Sequence, residues 1–134
     1  MKWDSSFNLG LKKIDKQHQN VIIAINALET AVIKNQTGDM LDKVIIALDA
    51  YAYQHFDYEE KLLEKYLYPK LDVQLDEHST FILKIKTFRE DISKNENPRK
   101  LGMEICNFLR DWFISHILEK DKKYLEHLKS HGVQ

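Results

Sequence analysis

Apolar residues recur along the chain at alternating steps of three and four positions, in four separate stretches. This spacing places side chains on one face of an α-helix and is typical of helices that pack into a bundle. The second stretch follows the pattern through Leu41, Ile45, Leu48, Ala52, His55, Glu59, Leu62 and Tyr66. Two positions on its inward face are therefore taken by an imidazole and a carboxylate.

Polar segments containing glycine or proline separate the stretches. Asp15 is expected to cap the first helix, and Gly38 is expected to end it. Pro69 marks a turn, because proline lacks a backbone donor and starts helices better than it continues them. The predicted helices cover residues 15–37, 39–66, 70–93 and 98–128, all within one domain of residues 1–134.

Four amphipathic segments joined by short turns favour an all-α fold, an antiparallel up-down-up-down four-helix bundle. Residues 1–13 show no sustained periodicity and predict an irregular N-terminal arm. Within this arm we expect Trp3, Phe7 and Leu9 to lie against the bundle.

Composition and charge exclude some classes of partner. Lys and Arg total 20 against 21 for Asp and Glu, so the net charge is −1. This balance gives no support for binding nucleic acid or an anionic membrane surface. No apolar segment resembles a signal peptide or spans a bilayer, so we expect a cytoplasmic protein without membrane contact. We also expect a monomer.

Each predicted helix carries polar residues at inward positions. A buried charge is costly unless it is paired or holds a metal. Counting along helices of alternating direction places these residues toward the same end of the bundle. The set consists of His18, His55, Glu59, Gln74, His78 and His116.

Asp121 follows His116 by five positions. On an ideal helix five residues turn through roughly 140° beyond a full turn, so both side chains reach the axis only where the helix widens, as in a π-bulge. A single inward histidine is more often a hydrogen-bonded core residue than a ligand. Four histidines and two carboxylates at one level instead favour a metal site.

Mixed imidazole and carboxylate ligands suit iron, zinc, manganese or copper. The donor set exceeds what one ion needs, and two ions sharing Glu59 and Asp121 would account for it. Ferritin-like di-iron proteins carry Glu-x-x-His pairs, but positions 52, 75 and 113 are not glutamate. The outer-face Glu60 is expected to be solvated, and Tyr51 is expected to serve packing.

The chain resembles the hemerythrins, in particular the single-domain bacteriohemerythrins, over nearly its full length. The resemblance rests on motifs in the arm, in all four helices and in one turn. They are Trp3, Gly10…Ile14-Asp15-x-Gln17-His18, His55-Phe56-x-x-Glu59-Glu60, Tyr68-Pro69, His78-x-x-Phe81 and Trp112-x-x-x-His116-Ile117-x-x-x-Asp121.

The resemblance implies an O₂-binding protein for storage, delivery or sensing, and not an enzyme. Its cofactor would be two iron ions (Fe2+/Fe3+) bridged by carboxylates and a hydroxide or oxide. One iron, with an open position for O₂, would be held by His18 and His55 and the other by His78 and His116. Glu59 and Asp121 would bridge both ions.

The chain departs from the family pattern at Gln74, where a histidine is usual. Its amide oxygen is expected either to bind iron weakly or to hold a water molecule, and both readings remain open. Trp112 and Phe113 are expected to line the O₂ pocket. Gln74 also motivates an alternative function, a di-iron redox enzyme acting on peroxide, O₂ or nitric oxide, and a third reading is an interaction module with a structural metal.

Overall fold

The computed structural model describes residues 2, 4–94 and 97–133, and Trp3 lies outside them. Within these residues the chain forms four long helices and no strand, which confirms the expected all-α four-helix bundle. Helix α1 packs against α2 and α4, and α3 packs against the same two helices. The helices are α1 (Lys12–Ile33), α2 (residues 37–65), α3 (Leu71–Lys94) and α4 (residues 98–130).

Helix α1 begins at Lys12, so the prediction that Asp15 caps it is wrong. The buried Asp15 carboxylate instead accepts hydrogen bonds from the backbone N–H groups of Leu9, at 2.7 Å, and Gly10, at 3.2 Å. Gly10 has a φ of +82°, a conformation that glycine adopts without strain. Asp15 therefore stabilises the turn that leads into the helix.

Helix α1 also ends earlier than predicted, at Ile33, well before Gly38. Asn35 takes the left-handed conformation with a φ of 56°. The next N–H group, that of Gln36, donates to the carbonyl of Ala31 at 2.8 Å. This hydrogen bond is the Schellman motif, in which a left-handed residue satisfies the last free carbonyls of a helix.

The remaining bounds differ from the predicted ones by at most two residues. Helix α2 begins at Thr37 and ends at Lys65, α3 runs one residue later than predicted, and α4 continues to Ser130. A second Schellman motif ends α2, with Leu67 at a φ of 55°. Leucine rarely adopts this conformation, so its sequence position gave no signal.

Two helices contain π-helical segments, in which the backbone widens by one residue per turn. Helix α4 consists of Pro98–Trp112, a π-helical segment Phe113–Asp121 and Lys122–Ser130. This confirms the widening predicted from the spacing of His116 and Asp121. Helix α2 consists of Thr37–Tyr51, a π-helical segment Ala52–Phe56 and Asp57–Lys65.

The π-helical segment of α2 was not predicted, and it coincides with a change in which residues are buried. After Glu59 the fully buried residue is Leu63, whereas the predicted inward residue Leu62 is only partly buried. Glu59 also follows the segment and is buried as predicted, so the observed inward positions depart from the predicted ones only after Glu59.

The bundle has two separate apolar clusters. The larger extends from the α1–α2 connection to Phe56, Phe113 and Ile117. The smaller lies at the other end and is formed by Leu9, Leu11, Ile14, Leu63, Tyr124 and Leu128. Along α1, α2 and α4 the inward histidines and carboxylates fall between residues of these clusters, so the polar groups form a layer between them.

The N-terminal arm closes over this layer. The ring of Phe7 meets the ring of Phe113 edge-on, with centroids 5.1 Å apart. Leu9 is buried in the smaller cluster. The expected contacts of Phe7 and Leu9 with the bundle are thus confirmed.

Candidate metal centre

The structure brings together all six predicted ligands. Ligand atoms of the first group lie within 4.8 Å of one another, and so do those of the second, which shares Glu59. Their side chains are between 0% and 2% exposed. The groups are His18, His55, Glu59 and Asp121, and Glu59, His78 and His116.

Glu59 and Asp121 each present one oxygen to one histidine pair and the other oxygen to the other pair. Glu59 Oε2 lies 2.9 Å from His55 Nε2, and Glu59 Oε1 lies 3.0 Å from His78 Nε2. Asp121 Oδ2 lies 3.1 Å from His18 Nε2, and Asp121 Oδ1 lies 3.2 Å from His116 Nε2. We call His18 with His55 the first half of the site, and His78 with His116 the second half.

The π-helical segments position three of these side chains. His55 lies in the segment of α2, and the segment of α4 carries both His116 and Asp121. In a π-helix the repeat is i→i+5, so two residues five apart share a face. The backbone of α4 thus turns both side chains inward, which a regular α-helix would not do.

Polar groups lie behind three of the imidazoles. His55 Nδ1 donates to Gln17 Oε1 at 2.5 Å. His78 Nδ1 is 3.7 Å from Glu60 Oε1, and His116 Nδ1 is 3.8 Å from Glu77 Oε2. Only the contact of His55 is a hydrogen bond, because His78 Nδ1 and His116 Nδ1 have no hydrogen-bond partner among the described residues. Metal-binding histidines nearly always have a polar group at this position, which orients the ring and leaves Nε2 free for the metal.

Sequence reasoning missed most of these partners. Glu60 is partly buried against His78, with its side chain 32% exposed, so it is less solvated than expected. Glu77, which also contacts Lys120, was not singled out at all. The only local signal is sequence position, because Gln17 and Glu77 each directly precede a predicted ligand histidine.

Burial is the largest influence on the pKa values of His18 and His116. It lowers the pKa of His116 to about 3 and the pKa of His18 well below its ordinary value. Both imidazoles are therefore neutral at neutral pH, which is the form that binds metals.

The two carboxylates respond in opposite directions. Burial, reinforced by the charge of Glu59, raises the pKa of Asp121 well above its ordinary value. Burial alone would also raise the pKa of Glu59, but His55 and His78 outweigh it and lower that pKa. Two buried carboxylates this close need positive charge nearby before both ionise.

Several buried polar atoms lack a hydrogen-bond partner within the described part of the chain. They include both ring nitrogens of His18 and His116, both carboxylate oxygens of Asp121, and Nε2 of His55. Although some of these atoms lie about 3 Å apart, their contacts lack hydrogen-bonding geometry. Metal ions would satisfy the Nε2 atoms and the carboxylate oxygens and supply the missing positive charge, so the residues fit a metal centre.

Gln74 is buried beside the second half. Its amide nitrogen donates to the carbonyl of Lys120 at 3.4 Å, within the π-helical segment of α4. Its amide oxygen has no partner among the described residues. The oxygen is therefore left available for a metal ion or a water molecule.

Aromatic rings stack on three of the imidazoles. Phe56 lies 3.9 Å from His78 between ring centroids, and Trp112 lies 4.1 Å from His116. Tyr51 stacks on His55 at 5.0 Å, in agreement with the packing role that the sequence suggested. Phe113, the other residue expected at the O₂ pocket, is fully buried.

Tyr124 adds a hydrogen bond to the centre. Its hydroxyl donates to Glu59 Oε2 at 2.9 Å, and both side chains are fully buried. This is the carboxylate oxygen that faces the first half. The bond restricts Glu59 to the orientation in which its two oxygens face different histidine pairs.

Comparison with known proteins gives one family match and several relatives. The family is described as the Hemerythrin HHE cation binding domain, and it matches residues 9–128, which include all six clustered residues. A bacteriohemerythrin of Clostridium acetobutylicum is 35% identical over 130 residues, which cover 92% of this chain and 98% of the relative. A bacteriohemerythrin of Stenotrophomonas maltophilia is 28% identical over 132 residues, covering 96% and 82%. A myohemerythrin of Theromyzon tessulatum is 25% identical over 123 residues, covering 92% and 89%.

Proposed function

This chain belongs to the hemerythrin family, and from that premise we propose that it binds O₂ reversibly at a centre of two non-haem iron ions. One observation carries the proposal. Glu59 and Asp121 each direct one oxygen to each histidine pair, which is the geometry that two bridging carboxylates require. O₂ storage, delivery and sensing all remain compatible with this centre.

In this proposal each half holds one ion. His18 and His55 bind the first through Nε2, and His78 and His116 bind the second in the same way. Glu59 and Asp121 would hold both ions, together with a hydroxide or oxide. When bound, two ferrous ions supply the electrons that O₂ takes up and returns on release. Every proposed ligand comes from one chain, so we expect the centre to assemble in a monomer.

The surrounding residues favour reversible binding over irreversible oxidation. Two carboxylates and a hydroxide would together bring three negative charges, which balance most of the four positive charges of two divalent ions. The stacked rings of Phe56 and Trp112 and the buried ring of Phe113 keep water from the centre. Excluding water limits the proton leakage that would release reduced oxygen.

No helix among the described residues is both long enough and apolar enough to cross a membrane.

Iron content and the optical spectrum test the proposal. The anaerobically reconstituted protein should hold two irons per chain and gain a visible absorption band on oxygenation that vanishes on deoxygenation. The variant His18→Gln should lose the band, whereas His127→Gln, which removes a histidine outside the cluster, should keep it. A wild-type protein that binds a single ion, or oxidises without a reversible band, would contradict the proposal.

Gln74 supports a second candidate, a di-iron redox enzyme that turns over peroxide, O₂ or nitric oxide. Its unpartnered amide oxygen is a weaker iron ligand than imidazole, so the second half also offers a labile position. Steady-state turnover of peroxide or nitric oxide should then fall at least tenfold in Gln74→His, which corresponds to an activation barrier higher by ~1.4 kcal/mol. Equal rates in the two proteins would rule out this role for Gln74.

A further inference from the structure

An apolar groove lies between α1 and α2 and has a volume of about 430 Å³. We call it the α1–α2 groove. Its rim includes the partly or fully exposed Ala27, Ala47 and Ala50, and its inner wall includes the buried Val21, Leu48 and Tyr51. The lining surface is mostly carbon, although Lys43 stands at its edge.

The floor of this groove reaches the first half of the metal centre. Tyr51 lines the groove and also stacks on His55, with ring centroids 5.0 Å apart and planes 14° apart. Val21 lines it too, one helical turn after His18. A molecule in the groove is thus separated from the first half mainly by the ring of Tyr51.

Tyr51 is not tied down by its hydroxyl. The side chain is 8% exposed, and its hydroxyl makes no hydrogen bond within the described part of the chain, although the indole of Trp112 lies near it. A rotation of the ring therefore breaks its contacts with the rings of His55, Phe56 and Phe81 but no hydrogen bond. A ring in the same contacts with a hydrogen-bonded hydroxyl would cost more to move.

A neighbouring groove of about 520 Å³ approaches the same half with different chemistry. Its lining includes Lys13, Asp57, Lys61 and Lys65, and it ends at Gln17, which holds His55 through a hydrogen bond. We call it the charged groove. Both linings are mostly carbon, but the charged groove carries four charged side chains and the α1–α2 groove carries one, Lys43. Uncharged gases gain nothing from hydrated charges, so the α1–α2 groove is the more favourable route for them.

We propose that the α1–α2 groove is the access route for a small uncharged diatomic gas, O₂ or nitric oxide, and that Tyr51 is its gate. The inference rests on the proposed function, because it gives that site its ligand path. It adds a binding surface and a gating residue outside the proposed ligand set. It also predicts that blocking the route changes the association and dissociation rates together at constant affinity, which a residue acting on the iron itself would not do.

The variant Ala47→Trp tests the route by filling the rim of the groove. Ala47 is exposed, so the substitution should not disturb the core. Association and dissociation of O₂, measured by stopped flow on the iron-loaded protein, should both slow by about tenfold while the affinity stays constant. An obstruction raises the same barrier for entering and leaving, whereas a change at the iron alters the affinity.

Two matched variants place a tryptophan in other grooves. Lys61→Trp fills the charged groove, and Met103→Trp fills a groove of about 180 Å³ beside Cys106 and Arg110. Both should retain wild-type association rates. Slower association in Lys61→Trp together with a normal rate in Ala47→Trp would overturn the proposal. If Ala47→Trp fails to fold, Ala50→Trp, at another exposed rim position, takes its place.

Tyr51→Leu tests the gate. Replacing the ring with a smaller side chain should raise the association and dissociation rates of O₂ together, again at constant affinity. Tyr51→Phe should resemble wild type, because it keeps the ring and removes only the unpartnered hydroxyl. A Tyr51→Leu variant with unchanged rates would exclude the gate.

Xenon binding gives a readout that does not depend on O₂. Methyl resonances of Val21, Ala24 and Leu48 should shift under xenon pressure in the metal-loaded wild type, and these shifts should disappear in Ala47→Trp. If xenon binds but no reversible O₂ band exists, the proposed function fails while the groove remains. If the band is reversible but Ala47→Trp changes neither the xenon-induced shifts nor the O₂ rates, the access route alone is wrong.

Discussion

The two halves of the metal centre are alike in their proposed ligands and different in their surroundings. Each offers two histidine Nε2 atoms and one oxygen from each carboxylate. Behind the first half, His55 is held by the neutral amide of Gln17 at 2.5 Å. Behind the second half, Glu60 and Glu77 place carboxylates within 4 Å of the imidazoles.

This difference bears on the missing histidine. The second half has Gln74 where the family usually supplies a third imidazole. It should therefore bind its ion more weakly than a second half with three imidazoles would. A carboxylate behind an imidazole raises the basicity of the ring and strengthens it as a ligand. Both halves have two histidines, and only the second has carboxylates 3.7 and 3.8 Å behind its rings, so counting histidines does not rank the two halves.

The largest expected effect is the loss of metal from both halves at once. In Glu59→Gln one bridging carboxylate becomes a neutral amide, so both ions lose an anionic ligand. Iron content should fall from two ions per chain to fewer than one, measured by elemental analysis after gel filtration. The affinity loss should exceed the ~10–100-fold typical of residues behind the ligands.

Glu64→Gln is the matched control for that variant, because Glu64 is an exposed residue of the same helix. It should retain both ions. Full iron content in Glu59→Gln would mean that the two halves bind metal independently and that Glu59 does not bridge them.

A smaller effect should separate the halves. Gln17→Ala removes the amide behind His55, and Glu77→Ala removes the carboxylate behind His116. Each should accelerate release of one ion by ~10–100-fold and leave the other ion in place. Iron transfer to a coloured chelator should show two phases, with a different phase accelerated in each variant. Acceleration of the same phase in both would show that the halves are not distinct.

Much of this site was predictable because helical periodicity fixes which positions face inward. His18 and His78 fall on regular seams, and both are buried as that pattern requires. The widening of α4 was predictable too, since His116 and Asp121 are five residues apart and cannot otherwise share a face. In such places the sequence contains a conflict that only one backbone geometry resolves.

Other features left no such conflict. His55 and Glu59 are four residues apart, a spacing that a regular helix already satisfies, so nothing indicated the π-helical segment of α2. Gln17 meets His55 across 38 positions, and such a contact depends on how α1 and α2 pack. The apolar groove at Tyr51 likewise exists only where two helices meet. Local periodicity carries no information about contacts of this kind.

The smallest predicted effect concerns Tyr124, whose hydroxyl donates to the Glu59 oxygen that faces the first half. This hydrogen bond withdraws electron density from Oε2, so Tyr124→Phe should make that oxygen a stronger ligand for the first ion alone. The chelation phase accelerated by Gln17→Ala should slow by about threefold, or ~0.7 kcal/mol, while the other phase stays unchanged. The metal-free protein should instead lose stability, because a buried hydrogen bond to a charged group contributes about 1.5–3 kcal/mol.

Tyr68→Phe is the control, since Tyr68 meets Tyr124 edge-on at 6.1 Å, and it should leave both phases as in wild type. Equal acceleration of both phases in Tyr124→Phe would mean that Tyr124 only fills space, and that the asymmetry of the two halves does not extend to their shared carboxylate.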